Sequence, residues 1–209
     1  MCLASGKIPA MLHVKNLSCT RGERLLFSDI TIALGAGDCL HVRGTNGSGK
    51  TSLLRTLVGL SPVEMGTISW RDIAIADSAM NSELIYLGHH AAVNGDLTAL
   101  ENLYFANAQD GVAIEPHIAI NALQRLGLAG REDLPARVLS AGQKRRVLLA
   151  RLITREAKLW VLDEAFNTLD VGAASMLNEL IAAHLNGGGV AVLTSHQPLA
   201  IARVEILNL

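Results

Sequence analysis

The sequence predicts an α/β fold in which a mixed sheet, including an antiparallel β region, is joined to a helical subdomain. Half of the 209 residues are hydrophobic but only 3% are aromatic, so the interior has to be built from Leu, Ile, Val and Ala, as in sheets covered by helices on both faces. A short apolar strand, a glycine-rich loop and a helical pattern follow one another between Cys39 and Leu60. Helical spacing dominates residues 93–155, between two regions with strand patterns.

The chain is predicted to begin with a hairpin-like β region. Residues 1–10 are expected to form a flexible leader, and Met11 is a possible start of translation. The segments LHVKNLSC and LFSDITIAL then carry β-branched residues in near alternation, while Gly22 and the run GAGD at 35–38 supply turns. A short apolar strand at Cys39–Arg43 follows this region.

Helices and further strands are predicted from the spacing of apolar residues. Residues 52–60 read as a helix with Leu53, Leu54, Leu57 and Leu60 on one side. GTISW, LIYLGH, LWVLD and GVAVLTS read as strands, and 173–185 as a helix between the last two. In the helical region, Thr98 and Glu101 have the spacing of a capping box, and 115–128 and 140–155 continue the helical pattern. We therefore expect one domain over 11–209, with a core at about 11–92 and 156–209 and a helical subdomain at about 93–155.

Charge and cysteine content exclude several classes of function. The net charge is -1, from 18 basic and 19 acidic residues, which provides no broad basic field for a nucleic acid backbone, so we expect no nucleic acid partner. The cysteines, Cys2, Cys19 and Cys39, are odd in number and lack CxxC spacing, which indicates neither a disulfide framework nor a zinc site. No CxxCH is present, so direct haem binding is not expected. No apolar run reaches the roughly 18 residues of a membrane span.

The segment 44–51, here called the P-loop, matches the pattern G-x-x-x-x-G-K-[ST] between a strand and a helix. Glycines allow consecutive backbone N–H groups to point at phosphate oxygens, and the helix N-terminus adds partial positive charge. Lys50 is placed to bridge the terminal phosphates of a nucleotide, and Thr51 to hold Mg²⁺. The predicted nucleotide-binding residues of this segment are Gly44, Thr45, Asn46, Gly47, Ser48, Gly49, Lys50, Thr51 and Ser52.

Two carboxylates end the apolar strand in KLWVLDEAF. In an α/β protein ligands bind beyond the carboxyl ends of the strands. Asp163 is therefore predicted to reach a metal ion, directly or through water, and Glu164 to face an attacking water. Without the P-loop, a solvated strand end would be the better interpretation.

The segment LSAGQKRR, 139–146, contains a second candidate anion site. Ser140 is predicted to cap a helix, and Gly142 to let the backbone come close to a ligand. The alternative is a well-capped surface helix with a basic first turn.

Taken together, GTNGSGKT, LSAGQ, LWVLDE, NTLD and the late histidine of TSHQP resemble an ABC-type ATPase domain, in that family's order, from Met11 onward. The resemblance implies a P-loop NTPase core with a helical subdomain, ATP and Mg²⁺ as ligands, and a head-to-tail homodimer. It implies Glu164 as general base, His196 as the switch touching the γ-phosphate, and Asp170 in the loop that links the two sites. It also implies a signature segment that closes over the nucleotide of the other subunit, formed by Leu139, Ser140, Ala141, Gly142 and Gln143.

A narrower resemblance is to the ATP-binding subunits of cytochrome c maturation systems, in RGERLLFSDI, YLGHH, LTALENL, LSAGQKRRVLLARL and TSHQPL. It implies that ATP turnover drives haem export or release of a haem-loaded chaperone through integral membrane permease subunits. Residues around Thr98 to Tyr104 would dock a helix of such a partner. The chain would then lie peripherally on the cytoplasmic face of the inner membrane.

Three positions depart from the usual ABC pattern. His90, a candidate contact to the metal, stands where a glutamine that senses Mg²⁺ is usual, and we expect pH-sensitive coupling because a histidine changes charge near physiological pH. Arg21 lies near the place of an aromatic that stacks on adenine; a guanidinium can also stack on the base, and an exposed turn arginine is an equally good interpretation. Ala165 replaces a usual proline, with little expected effect on chemistry.

Other functions remain open from the sequence. The chain could be the ATPase of an ABC transporter with a different substrate, or an ABC ATPase that acts without membrane partners. The latter class usually adds coiled coils or a second ATPase domain, and the sequence shows no heptads and no duplication. A catalytically silent nucleotide-binding scaffold is disfavoured by the presence of Lys50, Asp163 and Glu164 together.

Overall fold

A computed structural model of the chain describes residues 10–75, 82–89, 92–197 and 199–209. Nine strands and six helices are described there, with a 3₁₀ turn at Ala136–Val138 before the fourth helix. In chain order they are β1 Ala10–Arg21, β2 Arg24–Gly35, β3 Cys39–Arg43, α1 Lys50–Leu57, β4 Met65–Trp70, β5 Ile73–Ala74, β6 Leu84–Leu87, α2 Ala99–Gln109, α3 Pro116–Arg125, α4 Ala141–Leu149, α5 Arg151–Thr154, β7 Leu159–Leu162, α6 Val171–Asn186, β8 Val190–Leu193 and β9 Glu205–Asn208.

The predicted hairpin-like region is confirmed. Strands β1 and β2 pair antiparallel from Ala10 opposite Gly35 to Arg21 opposite Arg24, and the four-stranded sheet has the order β2-β1-β4-β5. Gly22, at φ +63, provides the left-handed backbone that the tight turn between β1 and β2 requires. Ala10, which the sequence placed in the leader, is thus part of a strand, and residues 1–9 lie outside the described residues.

A five-stranded parallel sheet in the order β6-β7-β8-β3-β9 forms the second layer. Strands β7 and β8 are buried at every residue, and alternate side chains enter two different cores. Leu159 and Val161 pack towards α1 and the antiparallel sheet, while Trp160 and Leu162 pack towards α6 and the helical region. Because the strands are parallel, the loops after β3, β7 and β8 lie at one edge of the sheet.

Helix α1 is shorter than predicted. It ends at Leu57, because Gly59 adopts a left-handed backbone at φ +73. Leu53, Leu54 and Leu57 are fully buried, as predicted, but Leu60 lies beyond the helix and is 54% exposed, so placing Leu60 on the buried side was wrong.

The helical stretch contains α2 to α5. The capping box at its start is confirmed, since the Thr98 side chain accepts from the Glu101 backbone and the Glu101 side chain accepts from the Thr98 backbone. The predicted helix over 140–155 is divided into α4 and α5. No helix within the described parts of the chain has the length and apolar character needed to cross a membrane.

A ring stack joins α6 to β7 beneath the parallel sheet. His184 lies 3.9 Å from Trp160 between ring centroids, with an interplanar angle of 9°, and its Nε2 is 3.2 Å from the Val190 carbonyl. Burial lowers the pKa of His184 to about 4. A Cβ at Gly189 would lie 2.2 Å from the imidazole, so glycine there makes room for the ring.

His184 should make the fold acid-sensitive. With a pKa of about 4 when folded and about 6.5 when unfolded, the unfolded chain takes up a proton that the folded protein excludes. The free energy of unfolding should fall as pH drops from about 6.5 to 4, by up to about 1.4 kcal/mol per pH unit. His184→Phe keeps an aromatic ring against Trp160 and removes the titration. Urea unfolding between pH 7 and 4.5 should show a shallower pH dependence for this variant, and equal slopes would contradict the expectation.

Candidate functional site

The P-loop connects β3 to α1 and leaves the start of α1 without a side-chain cap. The N-cap residue is Gly49, in a left-handed conformation at φ +104, which glycine adopts without strain. The first turns of α2 and α4, by contrast, are closed by capping boxes at Thr98 and Ser140. Backbone N–H groups at an uncapped helix N-terminus are suited to bind an anion.

The interior of the P-loop is tightly packed and contains an unsatisfied hydroxyl. A Cβ at Gly44 would lie 2.4 Å from Ser48 Oγ and 2.8 Å from the Leu209 carbonyl, which explains the first glycine of the pattern. Ser48 Oγ is buried without a hydrogen-bond partner, and Lys50 Nζ donates to the carbonyls of Gly44 and Thr45 at 2.8 and 3.0 Å. A bound phosphate would supply acceptors for these donors, so the loop fits a nucleotide.

Asp163 joins the loops that follow three strands. Its Oδ2 accepts from Thr51 Oγ1 and its Oδ1 accepts from Thr194 Oγ1, both at 2.8 Å. Asp163 is 1% exposed and Thr194 is fully buried. The sequence placed Thr51 and Asp163 at a metal ion, and the structure brings these two side chains into direct contact. A hydroxyl and a carboxylate oxygen could hold Mg²⁺ together with phosphate oxygens and water.

Glu164 follows directly and is fixed at its backbone and its side chain. Its N–H donates to Thr194 Oγ1 at 2.8 Å, and its φ of +49 lies in the left-handed region, which is uncommon outside glycine. Asn167 Nδ2 donates to Glu164 Oε2 at 2.6 Å, and His89 Nδ1 lies 2.9 Å from the same oxygen. His196 Nε2 lies 3.6 Å from Oε1, with the His196 side chain 55% exposed.

These groups surround a cavity of about 540 Å³. Lys50, Thr51 and Ser52 line it together with Arg21 and Leu26 from the hairpin. Of the predicted site residues, the structure brings to this cavity Arg21, Asn46, Gly47, Gly49, Lys50, Thr51, Ser52, Glu164 and His196. Gly44, Thr45 and Ser48 belong to the same loop, and His90 lies outside the described residues. No residue of the signature segment lines this cavity within the described part of the chain.

The signature segment begins α4. Ser140 Oγ accepts from the Gln143 N–H at 3.2 Å, and the Gln143 side chain accepts from the Ser140 N–H at 2.9 Å, so the predicted cap is confirmed. A Cβ at Gly142 would lie 2.7 Å from the Thr168 carbonyl. Packing against Thr168 in the same chain therefore requires a glycine at 142, independently of the predicted approach to a ligand. Asp170 accepts from the Ala173 N–H as the cap of α6, and it pairs with Arg146 of α4.

Arg145 is the largest omission of the sequence analysis. Its side chain is buried and donates to the carbonyls of Gly88, Asp163 and Ala165, at 2.7, 3.0 and 3.3 Å. Burial lowers the pKa of the guanidinium, and the Asp163 and Glu164 carboxylates oppose that shift. The sequence did contain a signal, because Arg145 occupies the first position of a helical stripe whose other members are buried: Leu148, Leu149 and Leu152.

Three other residues of the site were missed. Thr194 follows a buried strand and looks like an ordinary strand end, and Asn167 lies in a loop. His89 was given no role, although it lines the cavity beside Glu164. No group of three or more His, Cys, Asp or Glu side chains suited to a metal ion occurs among the residues that the structure describes.

This fold and site define a P-loop ATPase of the ABC class. The ABC transporter family matches residues 27–167. The cytochrome c biogenesis ATP-binding export protein CcmA of Dechloromonas aromatica is 48% identical over 193 residues, covering 91% of this chain and 95% of that protein. The protein of the same name from Nitrosomonas europaea is 45% identical over 201 residues, covering 95% and 94%. A solved ATP-binding subunit of an ABC transporter superposes with a TM-score of 0.79 at 25% identity, covering 89% of this chain and 79% of that one. The chain belongs to the ABC transporter family and, within it, to the CcmA group.

Thr194 holds the Asp163 carboxylate and the Glu164 backbone N–H, so its hydroxyl should matter for turnover. Thr194→Val keeps the side-chain shape but removes a partner from Asp163 Oδ1 and from the Glu164 N–H. We expect a loss of about 1–3 kcal/mol in the free energy of unfolding and at least about a tenfold loss in ATP turnover. Urea unfolding and phosphate release measure the two effects. Thr194→Ser, which retains the hydroxyl, is the control, and a Val variant as active as Ser would contradict the assignment.

Proposed function

We propose that this chain is the ATP-hydrolysing subunit of an ABC complex for cytochrome c maturation. In this role ATP turnover drives haem export, or release of a haem-loaded chaperone, through membrane partner subunits. The hydrogen bond from Thr51 to Asp163 is the observation that carries the proposed ATP hydrolysis, because it joins the P-loop to the carboxylate at the end of β7. The names of relatives that align over more than nine-tenths of the chain support the biological role.

The proposed chemistry uses the residues around the cavity. P-loop N–H groups and Lys50 bind the β- and γ-phosphates, where they neutralise charge. Thr51 and Asp163 would hold Mg²⁺, and the ion would offset charge on the phosphate oxygens. Glu164 accepts the proton of an attacking water as general base. His196, on the loop after β8, contacts the γ-phosphate and lies on the Oε1 side of Glu164.

The active unit in this proposal is a head-to-tail homodimer. Residues 139–143 do not line the cavity of their own protomer, so a second protomer is needed to bring a signature segment over the γ-phosphate. Ser140 and Gly142 would approach from that neighbour, and Asp170 would lie in the connecting loop. Arg21 would stack on the base, because it lines the same cavity as the P-loop residues.

Integral membrane permease subunits are the proposed partners, and the peripheral cytoplasmic face of the inner membrane is the proposed location. A groove of about 450 Å³ supports a docking site, since it is lined by Leu60, Leu84 and Tyr86 of the core and by Gln109 and Arg151 of the helical region. Residues 98–104, where docking was predicted from the sequence, do not line this groove. We assign the helical subdomain to about 93–155. The balanced charge offers no support for a nucleic acid partner. In this proposal the partner subunits bind haem and this chain does not.

Glu164→Gln should abolish hydrolysis and trap the ATP-bound dimer. The amide keeps the shape of the carboxylate but cannot accept the proton, so phosphate release should fall by at least about a hundredfold. With MgATP the variant should elute as a dimer in size-exclusion chromatography. Adding Ser140→Arg to this variant should return it to a monomer, because the arginine would obstruct the signature segment in the other subunit's site. Persisting hydrolysis would reject the base, and a dimer unaffected by the second change would reject the in-trans arrangement.

The chain should co-purify with integral membrane proteins of cytochrome c maturation. A tagged chain is pulled down from detergent-solubilised membranes and the eluted proteins are identified by mass spectrometry. Lys50→Ala serves as a control for nucleotide dependence, since it should weaken ATP binding without changing the docking groove. Co-elution only with the permease of another transporter would overturn the maturation role, and a purely water-soluble assembly would overturn the transporter-like role.

A further inference from the structure

Within this proposed function, we propose that His89 is a positioning residue for ATP hydrolysis. With Asn167 it holds Oε2 of Glu164, and so presents Oε1 to the attacking water. The inference rests on Glu164 as the base, and it concerns a histidine next to the P-loop cavity for which the sequence suggested no role.

The two oxygens of Glu164 have different surroundings. Oε2 lies 2.6 Å from Asn167 Nδ2 and 2.9 Å from His89 Nδ1, which are both hydrogen-bond distances. Oε1 lies 3.6 Å from His196 Nε2, which is too long for a direct hydrogen bond. Two donors on Oε2 hold the carboxylate against rotation about its last bond, and Oε1 keeps lone pairs to accept a proton.

The contact requires a defined hydrogen on His89. An ionised carboxylate offers only acceptors, so Nδ1 has to carry the hydrogen that lies between it and Oε2. A neutral imidazole in that tautomer satisfies this requirement, so the proposal does not need a charged histidine. The contact is partly shielded, because the Glu164 side chain is only 17% exposed.

The pairing of β6 with β7 places His89 next to Glu164. Strands β6 and β7 are parallel neighbours in which Leu87 is the register partner of Leu162, and the Asp163 N–H donates to the Leu87 carbonyl at 2.8 Å. The ladder thus continues one residue beyond the strands, and His89 follows on the β6 side as Glu164 follows on the β7 side.

Arg145 also holds the two chain segments that follow β6 and β7. Its Nη1 donates to the Gly88 carbonyl and its Nη2 to the Asp163 carbonyl, which are the residues immediately before His89 and Glu164. One buried guanidinium therefore sets the spacing between the two backbones. The separation of the His89 and Glu164 side chains follows from this framework as well as from their own contact.

The test compares two amides at position 89. In Asn the donor nitrogen is attached to Cγ, as Nδ1 is in histidine, whereas in Gln it lies one bond further out. Initial rates of phosphate release by the full chain with MgATP give kcat and KM for His89→Ala, His89→Asn and His89→Gln. His117→Asn, on the exposed part of α3, is the matched control for a histidine that lies away from the cavity.

We expect His89→Ala and His89→Gln to lower kcat about tenfold with KM for ATP within about twofold of the parent, since the contact acts on the reacting water and not on nucleotide binding. His89→Asn should retain at least about half of the parent kcat, and His117→Asn should match the parent. Full kcat in both His89→Ala and His89→Gln, or equal losses in Asn and Gln variants with unchanged melting temperatures, would overturn the proposal. If the Ala variant fails to fold, the Asn and Gln pair decides.

Glu164→Gln separates this proposal from the one on which it rests. Loss of hydrolysis in Glu164→Gln together with unchanged hydrolysis in the three His89 variants rejects the role of His89 alone. Retained hydrolysis in Glu164→Gln rejects the base itself.

Discussion

The carboxylate of Asp163 is the constraint on which the site depends. One of its oxygens accepts from Thr51 at the start of α1 and the other from Thr194 at the end of β8, so three loops that are distant in sequence are held at one sheet edge. A buried carboxylate is costly unless it is fully hydrogen-bonded. Both oxygens have a partner here. The P-loop, Asp163 at the end of β7 and the loop after β8 therefore keep a fixed spacing.

The starts of α1, α2 and α4 differ in how their N–H groups are satisfied. Helices α2 and α4 close their first turns with Thr98 and Ser140 and their partner side chains. Helix α1 begins after Gly49, which has no side chain to offer. An uncapped start lowers the stability of an isolated helix, and α1 is instead supported by burial of Leu53, Leu54 and Leu57 between the two sheets. Packing energy thus allows the backbone to remain available for phosphate.

Local patterns in the sequence predicted the parts of the protein that local chemistry determines. The hairpin, the strand Cys39–Arg43, the capping box at Thr98, the helix cap at Ser140 and the α/β class are confirmed by the structure and the relatives. The end of α1 was missed because a left-handed Gly59, followed by Ser61 and Pro62, overrode a continuing apolar spacing. Arg145 and His89 were missed for a different reason. The helical stripe indicates that Arg145 is buried but not what it contacts, because its guanidinium donates to Gly88, 57 positions away, and no spacing rule encodes contacts across such a separation.

Arg145 also gives the molecule a mechanical property. Its guanidinium donates to the carbonyls of Asp163 and Ala165, on both sides of Glu164, and to the carbonyl of the residue before His89. The backbone of Arg145 belongs to α4. Hydrogen bonds from this one side chain therefore tie α4 to the carboxyl end of β7. A tilt of α4 against the parallel sheet would therefore strain hydrogen bonds to the residues on both sides of Glu164.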